Sequence, residues 1–329
     1  MPEILIIIIV LAILFDISNG WNDAANAIAT VVSTRVLSPV WAVILAAVMN
    51  LLGAFFSTTV AKTIGKGIVD PSAITQLVVA VALLSGFLWN GLMTKFGLPV
   101  SASHALIGGL MGASISHGSI HILNTSGLLK IFTALIVSPI LGIIIGYLFM
   151  VLILKLFGHF SSSSINKHFG RLQLISSTFM AFSHGSNDAQ KVMGIITLAL
   201  VSGGIIDTMK VPFWVIIICA FAIALGTALG GWRVIKTIGV QMLKLQPIHG
   251  FAAETSATGI ILGASAVGLP VSTTHCISTA IMGVGATKRL SAVRWGIAGK
   301  IVMAWIFTLP MCIGGAWLLY RLIEVLTSR

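Results

Sequence analysis

Apolar residues run along this chain in blocks of roughly 20, a length that carries a helix across ~30 Å of hydrocarbon. Short stretches rich in Gly, Ser, Pro, Lys and Arg separate the blocks. The pattern predicts segments at about 4–34, 39–61, 72–95, 98–116 and 127–156. A second set follows at about 171–203, 211–231, 247–266, 270–286 and 295–320. The polar "FGHFSSSSINKHFG" (157–170) reads as a loop between them. The expected organisation is therefore a first transmembrane repeat, 1–157, a connecting loop, 158–170, and a second repeat, 171–329.

The two sets repeat one another. "SNGWNDAA" (18–25) answers to "SHGSNDAQ" (183–190), and "KTIG" (62–65) recurs at 236–239. "GLPVSASHALIGGLMG" (97–112) recurs as "GLPVSTTHCISTAIMG" (268–283), identical at eight of 16 positions. Five crossings per half is an odd number, so the second half starts on the opposite side from the first, as in inverted-repeat secondary transporters.

Basic residues give an orientation. With the N-terminus outside, the inner connections hold Arg35, Lys95, Lys155, Lys167, Arg171, Arg233, Lys236, Lys244, Lys288, Arg289 and Arg294. The outer side holds Lys62, Lys66, Lys130, Lys210, Arg321 and Arg329, so both termini are expected outside. The fold class expected is an all-α polytopic membrane protein of two inverted repeats with discontinuous or re-entrant helices, about 10 crossings and up to 12 helical segments.

Composition agrees: 57% of residues are hydrophobic and 8% charged, where a soluble domain carries about a quarter charged. The net charge of +11 resides in loop anchors and does not point to nucleic acid. Cys219, Cys276 and Cys312 lie in apolar runs without metal-ligand spacing. No basic stretch precedes the first isoleucines, so that segment is expected as a retained helix, not a cleaved signal.

With only eight acidic residues, each one inside an apolar run matters. Asp23 and Asp188 match between the halves, each preceded by an asparagine (Asn22, Asn187) and, two residues earlier, by a glycine (Gly20, Gly185). Glycine and asparagine favour a local helix break, and freed carbonyls beside Asp and Asn oxygens make a hard-cation site. The motifs are therefore expected to interrupt two helices.

The paired "GLPVS" predicts something else. Pro99 and Pro270 interrupt the chain, Ser101 and Ser272 are N-caps, and each helix start presents free N–H groups to an anion. Ser103, Thr273 and Thr274 add hydroxyls, so two copies brought face to face form two sides of one anion pocket. His104 and His275 can bind an anion, move a proton or bond a carbonyl. Glu254, without an acidic counterpart in the first half, is a candidate cation ligand or proton carrier. Lys191 can neutralise Asp188 or contact an anion, and Asp16 is matched by Ala181. A divalent oxyanion beside two ionised aspartates is strongly disfavoured without cations, so cation and anion binding assist each other, which is symport in thermodynamic terms.

At these residues the sequence resembles the inorganic phosphate transporter (PiT) family, whose signature is a duplicated G-A-N-D-V-A-N-A. The copies here are "GWNDAANA" (20–27) and "GSNDAQKV" (185–192), the second with Gln190 and Lys191 in place of Ala-Asn. "SHGSNDAQKVMGII" is similar to the bacterial form. The resemblance implies uptake of inorganic phosphate coupled to Na⁺ or H⁺, with no cofactor and no catalytic residues. It implies cation ligation by Asn22, Asp23, Asn26, Asn187 and Asp188, and phosphate binding by Ser101, Ser103, Ser272, Thr273 and Thr274. Gln190 and Glu254 join the cation candidates; His104, His275 and Lys191 join the phosphate candidates. The expected location is the inner (plasma) membrane, and the expected partners are phosphate, a coupling cation, the lipid bilayer and a second copy in a homodimer. Sulfate permeation on the same scaffold is the alternative. An intramembrane metal hydrolase using His104, His184, His275, Asp23 and Asp188 is the rival from another class, but no H-E-x-x-H or G-x-S-x-G is present.

Overall fold

The apolar blocks fold as helices throughout. A computed structural model describes residues 2–327, and Arg329 of the outer basic set lies outside them. Among the described residues the elements are α1 (Pro2–Ser33), α2 (Pro39–Ala54), α3 (Thr59–Gly67), α4 (Gln76–Phe96), α5 (Ala102–Gly118) and α6 (Thr125–Phe157). Their counterparts are α7 (Ser162–Ser202), α8 (Phe213–Leu229), α9 (Trp232–Lys236), α10 (Pro247–Ala266), α11 (Thr273–Lys288) and α12 (Trp295–Thr327). Among the described residues the only extended pairing is an isolated bridge, Val69 to Leu123.

Packing comes in reciprocal pairs. Helix α2 lies on α7 and α8 on α1; α4 lies on α1 and α10 on α7; α5 lies on α12 and α11 on α6. Exchanging the halves maps each contact onto another, which is what a pseudo-two-fold relation produces. Small residues allow the closest approaches. A Cβ on Gly20 would lie 2.5 Å from Ile223 O, and one on Gly185 would lie 2.2 Å from Asn50 O. The facing glycines are as tight, with Gly226 at 2.2 Å from Ile17 O and Gly53 at 2.1 Å from Phe182 O.

These contacts correct one expectation. Helices α1 and α7 run unbroken through both N-D motifs. Gly20 and Gly185 let neighbouring backbones close in, and they do not break the helix. Discontinuity occurs elsewhere. Helices α2 and α3 meet at a 71° bend, dividing the expected 39–61 segment, and α8 meets the Trp232–Gln241 stretch at 64°.

Two hairpins supply the other interruptions. Helices α4 and α5 run antiparallel, since a Cβ on Gly109 would meet Ala82 O at 2.6 Å and one on Gly86 would meet Ala105 O at 3.7 Å. Their tip starts at Gly97 (φ 70°), and the α10–α11 tip starts at Gly268 (φ 74°), a left-handed conformation that glycine adopts without Cβ strain. As expected, Ser101 and Ser272 cap the helices that follow, accepting from His104 N and His275 N.

By length and composition four helices can cross a membrane, or six spans if each bent pair is one, so the structure does not establish the expected ten. The connecting loop is also shorter than 158–170. Ser161 accepts from Ser164 N and caps α7, so residues 162–170 are its first turns; the serines that read as loop are a helix start. On α6, Ile136, Ile140, Ile144, Leu148 and Leu152 form an exposed apolar stripe at four-residue spacing, a surface suited to hydrocarbon.

Candidate functional site

Helix α1 carries Asp16, Asn19, Asp23, Asn26 and Thr30 at intervals of three and four, which places them on one face, and all are buried. Helix α7 carries His184, Asp188 and Lys191 in the same way. The hairpin tips meet each other beside these faces: Thr274 Oγ1 lies 3.1 Å from Val100 O, and Ser103 Oγ donates to Val271 O at 3.2 Å.

Asn22 grips the first tip. Its amide donates to Thr94 Oγ1 at 2.8 Å and to Leu98 O at 3.3 Å, while its oxygen accepts from Val100 N at 3.3 Å. Asn26 donates to Thr274 Oγ1 at 2.9 Å and Thr273 Oγ1 at 3.3 Å. The threonine protons turn to the aspartates. Thr274 Oγ1 lies 3.0 Å from Asp23 Oδ1, and Thr273 Oγ1 lies 3.4 Å from Asp23 Oδ2 and 3.3 Å from Asp188 Oδ2. Lys191 Nζ donates to Asp188 Oδ1 at 2.6 Å and to Val271 O at 2.9 Å.

His184 stands between the carboxylates, its Nε2 3.7 Å from Asp23 Oδ2 and 3.6 Å from Asp188 Oδ2. A relay sets its tautomer. Thr227 gives its proton to Ile223 O (2.9 Å), so it accepts from Asn50 Nδ2 (2.7 Å). Asn50 therefore turns its oxygen to His184 Nδ1 (2.9 Å), which carries the proton. In the neutral ring Nε2 then presents a lone pair to two carboxylates. The ligand atoms of Asp23, His184 and Asp188 all lie within 4.8 Å of one another, a set that attracts a cation.

The other candidates are placed apart from this triad. Glu254 accepts from Thr30 Oγ1 (2.5 Å), Gln173 Nε2 (3.2 Å) and Ser176 Oγ in a second buried cluster. Asn187 donates to Ser265 Oγ at 2.8 Å. Gln190 accepts from Val60 N at the start of α3 (2.8 Å) and donates to Ser186 O (2.5 Å). His104 and His275 lie ring against ring, centroids 4.9 Å apart, and the Trp305 ring lies 4.0 Å from that of His275. Asp16 and Asn19 are buried, and none of their side-chain oxygens or nitrogens has a hydrogen-bond partner.

His184, Asn50, Thr227, Thr30, Gln173 and Ser176 are the functional candidates that sequence reading did not assign to the transport site. His184 carried a signal, four residues before Asp188 on one helix face. The others come from α1, α2, α7 and α8, and only packing makes them neighbours.

Paired hairpin tips, an all-helical apolar scaffold and a buried carboxylate pair are features of an integral membrane protein with a polar site inside it. Residues 19–316 match the phosphate transporter family (PHO4), and the chain belongs to that family. It is 44% identical over 309 residues to a protein of Bacillus subtilis (strain 168), covering 93% of each chain. It is 46% identical to one of Rhizobium meliloti (strain 1021), covering 93% of this chain and 92% of the other. Both are named "Probable low-affinity inorganic phosphate transporter". A solved structure titled as the sodium-dependent phosphate transporter superposes with a TM-score of 0.92 at 26% identity, covering 98% of this chain and 99% of that one.

Proposed function

We propose that this multi-pass protein imports inorganic phosphate by symport with sodium, through alternating access of two inverted halves (1–157 and 171–329). The observation that carries the reading is the meeting of both hairpin tips at the buried Asp23–His184–Asp188 triad. Oxygen donors dominate there, which suits a hard cation, and the solved relative is named sodium-dependent. The relatives' names favour phosphate over sulfate.

Symport follows from how the threonine protons are shared. Thr273 and Thr274 now direct their hydroxyls at Asp23 and Asp188. A sodium ion on those carboxylates weakens that claim and frees the hydroxyls to donate to a phosphate oxygen. Without the ion, phosphate meets two acceptor-only carboxylates that keep the threonine hydroxyls to themselves. Each ligand therefore raises the affinity for the other.

In this reading Asn22, Asp23, Asn26 and Asp188 serve the cation, with Asn187 and Gln190 holding their surroundings. Ser103, Thr273 and Thr274, with the N–H groups at the starts of α5 and α11, serve the phosphate; Ser101 and Ser272 shape those starts. His104 and His275 support the tips, and Glu254 anchors α10 to α1 and α7 and serves as a cation ligand at that second cluster. Both termini face outward from the inner membrane, and two copies pair as a homodimer.

Purified protein in liposomes, given sodium and pH gradients separately, tests the proposal. Phosphate accumulation driven by inward sodium, lost in Asp23→Ala and Asp188→Ala, is expected. Full uptake in both variants, or uptake indifferent to sodium, refutes it; sulfate competing as well as phosphate favours the other anion.

A further inference from the structure

The N-D motifs of the two halves differ at Asn19/His184, Trp21/Ser186, Ala25/Gln190 and Asn26/Lys191, and the last of these puts a fixed positive charge beside one aspartate. Asn26, 165 residues before Lys191, is its counterpart in the repeat. Asn26 offers a neutral carboxamide to the tip threonines. Lys191 places an ammonium 2.6 Å from Asp188 Oδ1 and 2.9 Å from Val271 O. A carboxylate oxygen plus a main-chain carbonyl from an unwound tip is a donor set that transporters use for an alkali cation. Lys191 is 2% exposed, so its charge is held at that position by partners in the protein.

We propose that Lys191 is a tethered substitute for one coupling cation. Its ammonium fills the second-half cation position permanently, and only the first-half position, built on Asp23, exchanges sodium. The inference rests on the sodium-coupled reading above and deepens it by fixing where an ion binds and where none does.

Two further observations agree. Among the described residues, Asp188 has a lysine partner within 4 Å and Asp23 has none, its ion-pair neighbour being His184 at 3.7 Å. By formal charge, Asp23, Asp188 and Lys191 sum to a single negative charge, which one monovalent cation balances before the anion arrives. A site with asparagine at both matching positions would leave two carboxylate charges and call for two cations.

The test is Lys191→Asn, which places the first-half residue in the second half. Reconstituted wild type and variant are compared by the membrane potential that nulls net phosphate flux under fixed sodium and phosphate gradients. The expected result is one more sodium ion and one more net charge carried per phosphate in K191N. An unchanged ratio overturns the proposal. If K191N transports nothing, equilibrium binding of radioactive sodium to the purified protein decides: one additional ion per chain supports the proposal, and equal binding overturns it. Wild type that takes up phosphate without sodium dependence refutes the sodium-coupled reading itself, a result separate from an unchanged ratio.

Discussion

Replacing Gly185 by alanine separates two explanations of the glycine in the N-D motif, because they differ in sign. If the glycine loosened α7, alanine would strengthen the helix by about 1 kcal/mol. The structure gives the opposite outcome. The new methyl would stand 2.2 Å from Asn50 O, 2.5 Å from Asn50 Cα and 2.7 Å from Asn50 C, all backbone of α2. Ordinary contact needs at least about 1 Å more, so α2 must retreat by that much. A retreat of that size stretches the His184 Nδ1–Asn50 Oδ1 bond, now 2.9 Å, beyond hydrogen-bonding range. Overpacking costs about 1–3 kcal/mol, and stranding a buried partner costs about 1–3 kcal/mol more. Together they outweigh the propensity gain. Thermal unfolding in detergent should show G185A destabilised by about 1–5 kcal/mol, with phosphate uptake lowered because His184 loses its orientation. Gly259→Ala is the control: nothing lies within 4 Å of its Cβ position, so it should gain about 0.5–1 kcal/mol. A G185A protein as stable and as active as wild type would refute the packing argument.

Thr274→Val keeps the shape but removes the hydroxyl between Asn26, Asp23 and Val100 O. Losing about 1–3 kcal/mol of buried hydrogen bonding predicts uptake lowered roughly five- to 150-fold, and near-normal uptake would exclude this hydroxyl from the transport site. Glu254→Ala strands the donors of Thr30, Gln173 and Ser176; at about 1–3 kcal/mol per unsatisfied group it should lower the unfolding temperature more than Glu254→Gln does. Asp16→Asn should unfold no earlier than wild type, because the carboxylate it replaces is buried without a hydrogen bond; a marked loss of stability would show that Asp16 holds a partner essential to the fold.

The repeat in the sequence determined much of this protein. Apolar block length set the helices, since hydrocarbon thickness fixes how many residues a span needs. The duplicated N-D and "GLPVS" motifs located both halves of the candidate site, and Ser101 and Ser272 showed their capping role because a cap is a local interaction three residues long. Local signals misled where tertiary contact assigned the residue its use. Gly20 and Gly185 suggested breaks, yet each faces a partner backbone that no local window reveals. The serines of 161–164 suggested a loop, yet Ser161 starts a 41-residue helix. What only the tertiary structure decided is partnership across the halves: His184 between two aspartates, its tautomer set through Asn50 and Thr227, and Lys191 on Asp188 and the opposing tip carbonyl. Those groups come from helices distant in sequence, and a hydrogen bond depends on distances of a few tenths of an ångström that residue order does not encode.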